Sequence, residues 1–216
     1  MGADKMDIAG ILAKRKPQLA VKRGFDIIIS AAALAILWPL FLIIAAAIRI
    51  DSPGKVFYRQ ERIGKNGKPF YIFKFRSMVE NADKKGPEIT IGRDARITRV
   101  GAFIRKTKLD ELAQLLNVLK GDMSFVGPRP EVGRYVRLYT AHQRQVLLVK
   151  PGITDYASIA YRNENDLLAK AEDPERCYIE KIMPDKIELN MKYLRDISLI
   201  TDLKLILLTL VAVFRG

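Results

Sequence analysis

Two adjacent carboxylates, Asp110 and Glu111, stand at the expected start of an apolar-faced helix, with Arg105, Lys106 and Lys108 just before them. Free N–H groups and the helix dipole favour negative charge at such a position, so stability alone can account for the pair. The surrounding cations add a second reading, because a helix start ringed by positive charge also suits a phosphate. A carboxylate, with a reference pKa of about 4, is ionised at neutral pH and can attack phosphorus without a base if a cation offsets the repulsion. Mg2+ usually fills that role in phosphoryl transfer. Arg129, between Pro128 and Pro130, sits on stiff backbone that presents a guanidinium well to phosphate, although a solvated loop reads the same way. Lys74 and Arg76 close a strand and are otherwise simply charged strand-end residues. His142 is the only histidine and lies in the polar run Ala141-His142-Gln143-Arg144, where it reads as an exposed helix residue rather than a general base. Cys177 is the only cysteine, which excludes an intramolecular disulfide and a Cys-rich zinc site and suits a reducing compartment.

Several elements must position these groups. Val56 to Arg62 and Phe70 to Phe75 are rich in aromatic and β-branched residues, and Gly64-Lys65-Asn66-Gly67 between them predicts a β-hairpin. Alternation puts Phe70, Ile72 and Lys74 on one face and Tyr71, Phe73 and Phe75 on the other. Asn81 to Arg96 reads as a polar loop. A short helix is expected over Thr98 to Lys106. A second starts near Asp110, with Leu112, Leu115, Leu116 and Leu119 at helical spacing and Gly121 as its stop. Glu131 to Leu148 and Asp185 to Leu194 are expected helices, and Pro17 is expected to end any helix begun earlier. No repeat or low-complexity tract is present.

The chain has 216 residues and a net charge of +13. That charge is concentrated: residues 49 to 108 carry sixteen basic and six acidic side chains, whereas residues after 108 carry fifteen of each. An uncharged apolar run from Ile27 to Ile48 precedes the basic stretch. As helix it would reach about 33 Å, enough for a bilayer core of about 30 Å. Pro39 interrupts it, since proline lacks an N–H and its ring meets the carbonyl four residues back. Cations flank both ends, and positive charge prefers the cytoplasmic side. The physics leaves two topologies open, a re-entrant helix broken at Pro39 and a kinked single span. A signal peptide fits less well because the run is too long. Leu203 to Phe214 is apolar but too short to span, which suits a helix lying in the interface or packing on the anchor. Beside such an anchor, basic residues point to anionic lipid or a phosphorylated substrate rather than nucleic acid.

The string Lys108-Leu109-Asp110-Glu111-Leu112, Gln114-Leu115, Asn117-Val118-Leu119-Lys120-Gly121-Asp122-Met123-Ser124 and Val126-Gly127-Pro128-Arg129-Pro130 closely resembles the bacterial sugar transferases. These are monotopic phosphoglycosyl transferases. Lys22-Arg23, Arg62-Ile63-Gly64, Phe73-Lys74-Phe75-Arg76-Ser77-Met78 and Lys150-Pro151-Gly152-Ile153-Thr154 extend the resemblance over nearly the whole chain from Lys22. It implies an α+β, mostly helical monotopic protein of three parts: an N-terminal segment (1–21), a re-entrant helix broken at Pro39 (22–50), and a catalytic domain (51–216). That domain would face the cytoplasm on the bacterial inner membrane and include an interfacial helix at about 197–214. It implies transfer of a phosphosugar from a UDP-sugar to polyprenol (undecaprenyl) phosphate, with release of UMP and entry into exopolysaccharide or glycoconjugate assembly. By the same resemblance Asp110 is the nucleophile and forms a covalent phosphosugar adduct, Glu111 supports the site, and Mg2+ sits on Asp110 and the donor. Arg105, Arg129 and Arg162 match arginines near phosphate or uridine, and Lys74 and Arg76 match a basic pair near the site. A homo-oligomer is compatible with the resemblance. Trp38 stands where relatives often have serine, Ala113 where they often have proline, and Asp155 to Tyr161 depart from the usual pattern. Two rivals are a non-catalytic adaptor holding anionic lipid through the basic stretch, and direct transfer without a covalent adduct.

Overall fold

The computed structural model describes residues 7–82 and 94–214. The middle of the expected Asn81–Arg96 loop, 83–93, lies outside the described residues, as do residues 1–6. A short helix, α1 (Ile8–Lys14), leads into α2 (Lys16–Asp51), a 36-residue helix with Pro17 in its first turn. Proline suits that position because the missing N–H has no partner there anyway, so Pro17 opens the long helix as well as following the end of the short one. The helix therefore begins at Lys16, ahead of the expected boundary at 22, and it continues through Pro39. Pro39 removes a hydrogen bond without ending the element. Ile28, Ile36, Trp38, Leu42 and Ile43 lie exposed along α2, so the apolar helix is largely uncovered by protein.

The hairpin forms as expected. Strand β1 (Phe57–Ile63) pairs antiparallel with β2 (Pro69–Phe75), with Tyr58 opposite Lys74. Its two faces enter different clusters: Ile72 and Phe70 pack with Val118 and Met123, whereas Phe75 and Phe73 pack with Ile44, Ile48 and Ile104. Helix α3 (Arg99–Lys106) is capped by the Thr98 hydroxyl, which accepts from Gly101 N–H at 3.0 Å. The element carrying the carboxylates opens as a 3-10 helix (Leu109–Gln114) before becoming α4 (Leu115–Lys120), which Gly121 ends at φ 98°.

The expected long helix over Glu131 to Leu148 is not formed. Only α5 (Gly133–Val136) and a 3-10 helix (Gln143–Leu148) appear there. Thr140 and Gln143 explain the break. Gln143 N–H donates to the Thr140 hydroxyl at 3.3 Å, and Thr140 N–H donates to the Gln143 side chain at 2.9 Å. This reciprocal capping starts a new element where the periodicity alone suggested continuation. Strands β3 (Ser124–Val126) and β4 (Gly152–Thr154) then form a short parallel pair. A Cβ on Gly152 would lie 2.1 Å from Gly127 N, so this approach requires glycine.

Helices α6 (Tyr156–Ala160), α7 (Glu164–Ala169) and α8 (Pro174–Cys177) precede a π turn (Tyr178–Ile182), α9 (Met183–Arg195) and α10 (Leu199–Phe214). The largest core joins α1, α7, α9 and α10 through Ile8, Leu168, Met191, Tyr193, Leu194 and Leu205. A buried network, Lys22 to Asp202 at 2.5 Å and Tyr193 to Asp202 at 2.8 Å, fastens α2 to α10. Outside, α10 exposes Ile200, Leu203, Leu207 and Leu210.

Candidate active site

Lys108 adopts the left-handed conformation (φ 58°), turning the chain sharply between α3 and the 3-10 helix. Such backbone costs energy for a non-glycine residue and is often found where function needs it. The turn brings Arg105, Lys108, Asp110 and Glu111 together. Strand β2 arrives from the other side, held by Asn117 of α4: its side-chain oxygen accepts from Phe73 N–H at 2.9 Å, and its amide donates to Tyr71 carbonyl at 2.8 Å. That clamp sets the register in which Lys74 faces Glu111.

Glu111 is the hub. Its carboxylate accepts from Lys74 Nζ at 3.2 Å and from both terminal nitrogens of Arg129, one at 3.3 Å. Arg129 is itself held by backbone: its N–H donates at 2.8 Å to Asp155, a fully buried carboxylate that also caps α6 through Ser158 N–H. Among the described residues the Asp110 carboxylate makes no hydrogen bond, although Asp110 is only 8% exposed. The two neighbours therefore differ in kind. Glu111 is committed to two cations, and Asp110 keeps its lone pairs.

Electrostatics separates them further. Burial pushes Asp110 above the ordinary carboxylate range; Lys74 opposes this and Glu111 adds to it. Burial also pushes Glu111 upward, but Arg129 and Lys74 outweigh it and hold the group well below its ordinary value. Lys74 is lowered by burial against the pull of Glu111, and Glu111 raises Arg129 beyond its already high value. Two cations against one committed anion leave a net positive surround for Asp110 or an incoming phosphate.

Arg105 and Arg162 join Lys74, Arg129 and Asp110 on the wall of one cleft of about 1920 Å³. That exceeds the roughly 300–1,000 Å³ of ordinary small-molecule pockets and leaves room for two substrates. Ile206 and Thr209 of α10 form part of the same wall. Arg76 also lines it, but its guanidinium donates to Ser52 carbonyl at 2.6 Å, Ser52 hydroxyl at 2.8 Å and Pro53 carbonyl at 2.8 Å. It fastens the end of α2 to the hairpin. His142 is half exposed beside Glu188, away from this cleft.

No group of three or more His, Cys, Asp or Glu side chains among the described residues could hold a metal. Mg2+ fits such a site only through one free carboxylate with substrate oxygens and water, which is how this ion is commonly bound. Asp110, which makes no hydrogen bond to a described residue, would be that carboxylate. Sequence reasoning missed Asp155 and Asn117 as positioning residues. An aspartate just before a helix and a lone asparagine inside a leucine-rich helix were the available signals.

Residues 17–216 match the family model described as bacterial sugar transferase. The chain is 42% identical over 204 residues to a UDP-glucose:undecaprenyl-phosphate glucose-1-phosphate transferase of Klebsiella pneumoniae, covering 92% of this chain and 40% of that protein. A protein of the same description from Escherichia coli K12 is 38% identical over 200 residues, 91% of this chain and 40% of its own length. The exopolysaccharide production protein PSS of Rhizobium leguminosarum is 39% identical over 204 residues, 90% of this chain and 95% of that protein. The chain thus spans less than half the length of the two larger relatives.

Proposed function

This chain belongs to the bacterial sugar transferase family, and we propose that it transfers a phosphosugar from a UDP-sugar to undecaprenyl phosphate or a similar polyprenol phosphate, releasing UMP. The observation that carries the proposal is the unequal carboxylate pair. Glu111 neutralises and orients Lys74 and Arg129, leaving Asp110 free of hydrogen bonds in a cationic cleft. In the first step an Asp110 oxygen bonds to the β-phosphorus of the donor. The bond from that phosphorus to the bridging oxygen breaks, and UMP leaves with the electron pair. In the second, a polyprenol phosphate oxygen bonds to the same phosphorus and the aspartyl oxygen leaves as carboxylate. Arg129 and Arg105 bind the donor phosphates, and Arg162 lies further along the wall. Mg2+ bound by Asp110 and donor phosphate oxygens would offset the repulsion between anions.

The acceptor's tail is greasy and its phosphate lies at headgroup level, so the site should stand at the bilayer surface. The exposed apolar faces of α2 and α10, and the place of Ile206 on the cleft wall, support that arrangement. Re-entrant topology is supported by the way both ends of α2 are tied to the same domain. Near its start, Arg23 donates to Val118 carbonyl at 2.6 Å; at its end, Asp51 accepts from Val100 N–H at 2.9 Å. A helix crossing the bilayer would carry those ends to opposite sides. We place the domain on the cytoplasmic face of the inner membrane, where UDP-sugars are available.

The test uses the purified chain in lipid nanodiscs with Mg2+ and a panel of UDP-sugars. UMP release requiring polyprenol phosphate for turnover is expected. Without acceptor, intact mass should rise by one sugar phosphate in the wild type and not in Asp110→Asn. Release without an adduct would favour direct transfer, and no release from any donor would favour a lipid-binding adaptor.

A further inference from the structure

Beside the cleft lies a smaller chamber of about 180 Å³, lined by Tyr135, Tyr139, Tyr178 and Asn190, with Arg105 and Arg129 lining both spaces. Pockets for drug-sized ligands run from about 300 to 1,000 Å³, so this one takes a single ring and not a nucleotide. Asn190, on α9, is 5% exposed, and its buried side-chain oxygen has no hydrogen-bond partner. Leaving such a group unpaired costs about 1–3 kcal/mol, and native structures rarely do so without a reason. Tyr139 is also nearly buried, and its hydroxyl makes no hydrogen bond to a described residue.

The rest of the chamber is already ordered. Tyr178 sits in the π turn, a local distortion often found at functional sites, and donates its hydroxyl to Glu131. Glu131 accepts at the same time from Arg62 at 3.2 Å and from Val132 N–H at 2.8 Å. The Tyr135 and Tyr178 rings, with centroids 4.9 Å apart, form an apolar wall.

We propose that this chamber is a pyranose subsite that receives the sugar of the donor and makes Asn190 a specificity-determining residue. The inference rests on the transfer reading above, because Arg105 and Arg129 line both spaces and a ring in the chamber would be joined to the phosphate they bind. The lining favours a sugar over uracil because it is mixed. Arg62, Asn165 and Lys186 are donors, the Asn190 oxygen is an unpartnered acceptor, and Glu131 and Glu164 already accept from Arg62 and Lys186. A pyranose hydroxyl both donates and accepts, so several can pair with such a lining at once. Uracil brings one N–H and two carbonyls on a flat ring. The tyrosine wall suits the C–H face of a sugar ring.

The experiment reads binding separately from turnover. Saturation-transfer NMR of UDP-glucose, UDP-galactose and their N-acetyl forms is recorded on full-length Asp110→Asn, alone and combined with Asn190→Ala or Tyr139→Phe. Thermal melts confirm folding, and the milder Tyr139→Phe stands in if Asn190→Ala does not fold. Transfer to sugar ring protons is expected to fall at least threefold, with the uracil protons unchanged. In the otherwise wild-type chain the same substitutions should change the relative kcat/KM among these donors at least tenfold. Loss confined to uracil protons, with kcat/KM falling by the same factor for every donor, would assign the chamber to the base. No change in either readout would make it a hydrated packing void. Sugar-directed binding effects without UMP release from any donor would overturn the transfer reading and leave the subsite standing.

Discussion

At the scale of single residues, two carboxylates adjacent in sequence are driven apart by their surroundings. Asp110 carries the cost of burial without a hydrogen bond, so its folded pKa is raised. A raised acid binds its proton more tightly when folded. Its contribution therefore favours the fold at low pH and is lost as pH rises through the folded value. Ionised Asp110 works against stability at neutral pH, and Asp110→Asn is expected to melt higher than wild type while losing at least about a thousandfold in kcat. Parallel melts and UMP-release assays check both halves; a less stable, active variant would contradict them. The acid limb of kcat/KM, which reports the free enzyme, should lie above the reference value of about 4 for a free carboxylate, since the nucleophile must be ionised. Glu111 has the opposite sign: its depressed pKa contributes stability above about pH 4 that is lost as pH falls through the folded value. Glu111→Gln, which leaves Lys74 and Arg129 without their anion, should cost about 2 kcal/mol in urea unfolding and also impair turnover.

Among the elements, positioning depends on a few polar side chains that join segments far apart in sequence. Asp155 caps α6 and holds the Arg129 backbone. Asp155→Ala should destabilise the protein by about 2–3 kcal/mol and raise KM for the donor at least tenfold, whereas Asp155→Asn, which keeps an acceptor oxygen, should lose much less. Urea titration together with donor kinetics separates the two variants. Local elements were legible where local chemistry decides them: the glycine-bounded hairpin, the short helix ending at Lys106 and the Gly121 stop were all readable. Glu131 to Leu148 was misread because helical periodicity persisted while Thr140 and Gln143 ended it. The Asp110 segment was read as helix, but its 3-10 opening follows from the Lys108 turn, which no residue-type rule signals in a lysine.

For the whole molecule, both ends of α2 are tied to the same domain, which favours the re-entrant topology. In a Cys177→Ser background, Lys14→Cys and Lys55→Cys bracket α2 at exposed positions. Both should react with a membrane-impermeant maleimide only in inverted vesicles. Labelling from opposite faces would establish a spanning helix and end the re-entrant reading. The Lys22–Asp202 bridge is the second test at this scale. Lys22→Ala strands a buried carboxylate and should cost about 3 kcal/mol in unfolding, loosening α10 from α2.

The amino-acid sequence alone determined the chemical vocabulary: one free cysteine, one histidine, a basic stretch after an apolar anchor, and motifs that named the family. Those properties are carried by residue types and short spacings, and need no partner to express them. Only the tertiary structure distinguished the members of the cluster. Arg76 and Arg129 look alike in sequence, but one secures the end of α2 and the other binds Glu111. Asp110 and Glu111 are neighbours of the same charge, but which one keeps free lone pairs depends on where β2 and the Pro128–Pro130 turn bring their cations. Burial and long-range pairing set those roles, and neither is a property of the chain until it folds.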